Sequence, residues 1–299
     1  MRRVVKAARP FRAGETIFVM KPLVAYMNAD CNEYDYCFTC KKFLIAEHIR
    51  CSRCCGFGYC NKKCEKLQQF HYLFCFPREK NNMENCPDLS GRLKDLKFFS
   101  EEKKKSMSQS KRFFYQLQEL ARTSKRPIFY AIAPLYAMVE QNESDEQFRD
   151  AFSHLYIPTP MPNASKLSKE EHNLMNKFIN PSNDNLEFYI ALVCKLLYNQ
   201  LSFQSKPSSN GTFVNSGKGL YPCASFFDHS CSPNVHMFSA SGTSELTFVA
   251  SQHIQENELM TINYLENPRL TGEERRKILH STFDFNCDCL LCKEDLKTQ

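Results

Sequence analysis

The spacing of its cysteines is what most constrains this 299-residue chain, which has 16 of them. The first cluster opens with Cys37-x2-Cys40 and continues with Cys51-x2-Cys54 and Cys60-x3-Cys64. It closes with His71-x3-Cys75. Tetrahedral zinc takes four soft or borderline ligands, so four ordered pairs suit two closed, structural sites. Cys60/Cys64 and His71/Cys75 are spaced i,i+4 and can share one face of a short helix. Gly56 and Gly58 allow a tight turn before Tyr59. Cys55 sits beside Cys54 and competes with it as a ligand. A segment this small and cysteine-dense does not fold on apolar burial alone, so metal binding supplies the folding energy.

The second cluster is FDFNCDCLLC, residues 283–292. Cys287, Cys289 and Cys292 give three ligands, and no histidine or cysteine follows them. The fourth ligand has to come from a distance. Cys231, in the stretch FDHSCSPN, is the best candidate, and it would tie the C-terminal segment over the Asp228–Cys231 corner.

Composition favours metal over disulfides. No apolar run approaches the roughly 18 residues of a membrane helix. The basic start, MRRVVKAARPFRAGE, lacks the apolar stretch of a signal peptide. A soluble intracellular protein is expected, in which thiols stay reduced. The net charge of +6 is mild and permits acidic or nucleic-acid partners without implying them. Residues 9–26 alternate in hydrophobicity around a turn at Gly14 and read as strands. Residues 91–141 and 166–203 carry apolar residues at three- and four-residue steps and read as helices. YIPTPMPN at 156–163 is a proline-rich connector, and 101–111 an exposed helix end or loop. Residues 244–265 return to short strands. The expected class is α+β.

The order Cx2C, Cx2C, YCx3C, Hx3C resembles a MYND zinc finger. Such fingers interleave their ligands. The resemblance implies one zinc on Cys37, Cys40, Cys60 and Cys64 and another on Cys51, Cys54, His71 and Cys75. GKGLYPCASFFDHSCSPN, ELMTINYL and FDFNCDCLLC resemble the core motifs of a SET domain and its post-SET zinc site. The whole chain resembles the SET-and-MYND lysine methyltransferases. The match is specific at 37–75 and 218–292 and loose between 76 and 186. It implies a SET β-fold split by the finger and by a helical insert. The segments are then 1–36 (N-terminal SET), 37–75 (finger), 76–186 (helical insert), 187–266 (core SET) and 267–299 (post-SET).

The resemblance implies methyl transfer from S-adenosylmethionine to a lysine amine, with about three zinc ions per chain. Tyr264 would be the catalytic tyrosine. Phe283 and Tyr264 would line the lysine channel. Asp228, His229, Asn199 and Phe285 would meet the cofactor. Three positions depart from the family pattern. Asp228 stands where relatives have an asparagine, so an amide donor is lost and a charge gained, a change of about 1–3 kcal/mol in cofactor binding. Valines occupy the N-terminal segment where relatives have a glycine-rich loop. Phe283 replaces a frequent tyrosine. The implied partners are a histone or non-histone lysine and, through the finger, proline-rich peptides. Lys41, Lys42, Arg50, Arg53, Lys62, Lys63 and Lys66 could give the finger a basic face, a weaker basis for DNA contact. A monomer in nucleus and cytoplasm is expected. The alternative is a catalytically silent adaptor that recruits proline-rich partners in transcriptional regulation.

Overall fold

The computed structural model describes residues 4–45, 47–52, 55–76, 101–142, 145–181, 184–208, 213–265, 267 and 269–297. Gly14 turns the chain at φ 82° into β1 (Thr16–Met20), which is followed by β2 (Val24–Met27). β3 (Ile49–Arg50) and β4 (Gly58–Tyr59) pair within the cysteine-rich segment. Two short helices follow, α1 (Lys62–Lys66) and α2 (His71–Phe74). A helical layer then comprises α3 (Glu101–Ser124), α4 (Phe129–Gln141), α5 (Glu146–Ser153), α6 (Lys166–Ile179) and α7 (Leu186–Asn199). The remaining strands are β5 (Gln200–Pro207), β6 (Phe213–Leu220), β7 (Asp228–His229), β8 (Val235–Phe238), β9 (Leu246–Ala250) and β10 (Thr261–Ile262). The chain closes with α8 (Gly272–Phe283) and α9 (Leu290–Lys297).

The strands form small sheets rather than one large one. β1, β9 and β8 are antiparallel neighbours, as are β2, β6 and β5. β7 and β10 pair in parallel. This mixture of helix and short sheets agrees with the expected α+β class.

The helix reading of residues 166–203 ends too late: the helix stops at Asn199 and the chain continues as β5. Along β5, Phe203 and Ser205 are buried while Gln204 between them is only half-buried, and the strand pairs with β6. Sheet pairing overrides the helical spacing of the preceding apolar residues. Of the other expected segments, 91–100 lies outside the described residues, and 101–111 is the start of α3. Gly58 does not make the turn, which falls to Gly56 at φ 96°. A Cβ on Gly58 would instead lie 2.7 Å from the His48 ring.

One apolar core joins the cysteine-rich segment to the helices. At its centre the Phe74 ring lies 5.4 Å from Tyr130 and 6.0 Å from both Phe114 and Phe178. A second core lies under the sheets, where Phe18 and Phe227 stack on Phe248 at 4.5 and 5.7 Å. A third, smaller one surrounds the last cysteines.

The expected basic face is smaller than its sequence suggests. Lys41 is buried, with its Nζ 3.4 Å from Glu33 Oε2, and Glu33 Oε1 accepts the Met27 N–H at 2.9 Å. A buried ammonium needs a partner. Lys41 therefore fastens the finger to β2 and does not face solvent. Arg53 lies outside the described residues. No helix among the described residues is long and apolar enough to cross a membrane.

Candidate active site and metal centres

Three groups of ligand atoms come together: Cys37, Cys40, Cys60 and Cys64; Cys51, Cys55, His71 and Cys75; and Cys231, Cys287, Cys289 and Cys292. Within each group all four atoms lie within 4.8 Å of one another. A tetrahedron with zinc–sulfur bonds of about 2.3 Å sets its sulfurs about 3.8 Å apart. The sulfur separations are 3.6 Å for Cys40–Cys60 and Cys60–Cys64, and 3.7 Å for Cys51–Cys75. They are 3.5 Å for Cys231–Cys292 and 4.0 Å for Cys231–Cys287. These donor sets fit zinc in number, chemistry and spacing.

The short helices supply the local geometry. Asn61 caps α1 by accepting the Cys64 N–H at 3.0 Å, which places Cys64 one turn beyond Cys60. α2 likewise separates His71 from Cys75. The resemblance implies Cys54 for the second site; Cys54 lies outside the described residues, and among those described it is Cys55 that lies with Cys51, His71 and Cys75. The left-handed turn at Gly56 follows Cys55, whose side chain is buried with Sγ 3.2 Å from His71 Nε2.

The third group ties the end of the chain over the Asp228–Cys231 corner. Asp228 and His229 pair in parallel with Thr261 and Ile262. Asn234 stitches the same corner: its Oδ1 accepts the Thr261 N–H at 2.8 Å, and its Nδ2 donates to the Leu259 carbonyl at 2.9 Å. The strand then delivers Tyr264. The Tyr264 hydroxyl donates to the Phe227 carbonyl. Its N–H donates to His229 Nδ1 at 3.0 Å, and His229 Nε2 lies 3.2 Å from Cys231 Sγ. Burial, aided by the nearby Arg275 charge, pushes the His229 pKa down to about 4, so the ring is neutral near pH 7.

Thr271 and Glu274 form a capping box that starts α8, satisfying otherwise orphaned N–H groups. Asp284, at φ 56°, ends it in a left-handed turn. That turn sets Phe283 and Phe285 on Tyr264, with ring centroids at 5.2 and 6.4 Å. His229 completes the group, 5.2 Å from Tyr264 and 5.9 Å from Phe285. The result is a cluster of four rings in which one hydroxyl is bonded to one backbone carbonyl. Beside Phe227 lies a cavity of about 490 Å³ lined by Val4, Val5, Lys6, Phe18, Cys223 and Phe226.

Asn199, another expected cofactor residue, has its side chain engaged by the connector. Its side-chain oxygen accepts the Tyr156 N–H at 2.9 Å, and its amide donates to the carbonyls of Tyr156 and Lys195 at 2.9 and 2.8 Å. Those bonds use both its donor hydrogens and clamp the proline-rich connector onto α7. Replacing Asn199 with Ala removes both bonds to the half-buried Tyr156 backbone and is expected to cost about 1–2 kcal/mol. Urea unfolding measures this. Unchanged stability with weakened cofactor binding would return Asn199 to the cofactor site.

Arg275 was not legible as a site residue. It lies on α8 near the Cys231 and Cys292 thiolates, which help hold its charge. An arginine one turn into a capped helix carries no sequence signal of that contact.

The SET domain family model matches residues 2–265. The chain is 28% identical over 304 residues to histone-lysine N-methyltransferase SMYD3 of Mus musculus, covering 97% of this chain and 58% of that protein. It is 25% identical over 301 residues to N-lysine methyltransferase SMYD2 of Homo sapiens, with the same shares. A SET and MYND domain-containing protein of Dictyostelium discoideum is 37% identical over 84 residues, 27% of this chain and 15% of that protein. The chain thus spans a little over half the length of the full-length relatives it matches. Family model, metal groups and relatives agree: the chain belongs to the SET domain family and is a member of its SET-and-MYND branch, the SMYD proteins.

Proposed function

We propose that this chain is a protein-lysine N-methyltransferase that uses S-adenosylmethionine. The observation that carries the reading is Tyr264, with its hydroxyl on the Phe227 carbonyl and its ring among His229, Phe283 and Phe285. When bound, the cofactor supplies an electrophilic methyl on a sulfonium. Transfer to an amine is an in-line displacement, so rate depends on alignment and on exclusion of water. The Tyr264 hydroxyl and the Phe227 carbonyl orient the amine. Phe283 and Phe285 hold the lysine side chain and keep water out, which favours its neutral form. The ring faces of His229 and Phe285 suit an adenine-bearing ligand. Phe283 in place of a tyrosine removes a hydroxyl from the channel and bears on how many methyl groups are added.

The relatives' names make the mouse protein a histone-lysine methyltransferase and the human one a lysine methyltransferase. By that likeness, the substrate here is a lysine of a histone or another protein. The same reading takes residues 37–75 as a MYND finger that recruits proline-rich peptides. It places the protein in nucleus and cytoplasm as a monomer.

A silent adaptor is the second reading. Two observations favour it: Val4 and Val5 line the cavity beside Phe227, and Asp228 offers no amide donor. Calorimetry of S-adenosylmethionine with zinc-loaded protein separates the two, beside Asp228→Asn and followed by a methyl-transfer assay on histones. The enzyme reading expects micromolar binding and a loss of at least about a hundredfold in transfer for Tyr264→Phe, or roughly 2.7 kcal/mol. No binding by the natural protein, with recovery in Asp228→Asn, establishes the adaptor.

A further inference from the structure

We propose that His229 is a positioning residue that couples the Cys231 metal site to Tyr264, donating from Nε2 to the Cys231 thiolate while accepting the Tyr264 N–H at Nδ1. This rests on the reading that Cys231, Cys287, Cys289 and Cys292 hold zinc. The argument turns on which nitrogen carries the proton. A backbone N–H can only donate, so the 3.0 Å contact from Tyr264 leaves Nδ1 bare. A neutral imidazole then carries its proton on Nε2, 3.2 Å from Cys231 Sγ. Four thiolates around a divalent ion carry a net charge of −2, and donors to the sulfurs offset it. Arg275 brings a positive charge to the same sulfurs. Its guanidinium lies by the Cys231 and Cys292 thiolates, while Nη1 donates to the Leu270 carbonyl at 2.8 Å and Nη2 pairs with Asp295.

The consequence is structural coupling. Cys231 fixes one imidazole edge, and the opposite edge fixes the backbone of Tyr264. Emptying the metal site frees the sulfur, and with it the ring that holds Tyr264. Only an imidazole offers an acceptor and a donor on separate edges at this span. Asn reproduces the Nδ1 position and Gln the Nε2 position, so each keeps one half of the coupling.

The test compares zinc-loaded natural protein with His229→Asn and His229→Gln. The readouts are zinc content, zinc retention against a chelator, and the nitrogen-15 spectra of the Tyr264 amide and the imidazole. The natural protein is expected to hold three ions and show the Nε2–H tautomer. His229→Asn is expected to weaken one zinc by about 10–100-fold, as for other outer-shell partners, with the Tyr264 amide resonance kept. His229→Gln is expected to hold that zinc within about threefold, again as an outer-shell estimate, while the Tyr264 amide moves upfield. Equal losses in both variants, or an Nδ1–H imidazole with three ions bound, overturn the coupling alone. Two ions in the natural protein overturn the metal reading and the coupling with it. Cadmium-113 substitution gives a second measurement that needs no variant. A correlation from the metal through Cys231 to the His229 Nε2 proton is expected, and its absence in loaded protein overturns the proposal.

Discussion

Cys55→Ser is expected to lower the zinc content from three ions per chain to two and to unfold the cysteine-rich segment, whereas Cys54→Ser retains all three. Cys51, Cys55, His71 and Cys75 are all buried. Their surroundings are aromatic: the His71 ring lies 5.0 Å from Phe38, 5.6 Å from Tyr59 and 6.0 Å from Phe57. Removing a ligand leaves a polar group in that shell and forfeits much of a metal-binding energy that runs to about 10–16 kcal/mol in small zinc domains. The damage spreads because α2 carries both His71 and Phe74, and Phe74 sits at the centre of the core shared with the helices. The helices should therefore lose stability with the metal. Elemental analysis and thermal unfolding of the two variants settle the assignment. Loss of zinc in Cys54→Ser with retention in Cys55→Ser would reverse it.

Gly217→Ala is expected to destabilise the fold by about 3 kcal/mol or more, at the upper end of what overpacking costs. β6 is the middle strand of its sheet, so Gly217 has a neighbour on each side, Met27 and Phe203. A Cβ there would lie 2.4 Å from the Tyr26 carbonyl oxygen and 2.4 Å from Phe203 Cζ. The carbonyl belongs to the paired backbone and cannot move without opening β2–β6. That pairing also anchors the start of the finger, through the Met27 N–H on Glu33. Gly14→Ala is the control. A Cβ at Gly14 meets nothing within 4 Å, and its φ of 82° leaves only the left-handed strain, about 1 kcal/mol. Thermal unfolding should place the Gly217 variant several degrees below the Gly14 variant. Equal midpoints would show that β6 tolerates the extra carbon.

Spacing made the metal groups readable because zinc fixes ligand number and knuckle geometry. Cys231 could be picked from a distance for the same reason: three clustered cysteines demand a fourth. Spacing leaves the choice open where two candidates are adjacent, at Cys54 and Cys55. Charge misled at Lys41, which its neighbours mark as surface and the fold buries against Glu33. Asn199 carries a contact that no motif announces: its side chain holds the backbone of Tyr156 in the connector.

The sequence by itself determined the three metal groups, the mixed class and the candidate tyrosine, because ligand spacing and motif order are local and survive unfolding. Tertiary structure alone decided that Cys55 lies with Cys51, His71 and Cys75, that His229 stands between Cys231 and Tyr264, and that Arg275 reaches the thiolates. Those facts depend on where separate segments cross: β7 on β10, α8 on the last cysteines, and the turn at Gly56. Such crossings are fixed by the packing of the whole chain, so no window of residues contains them.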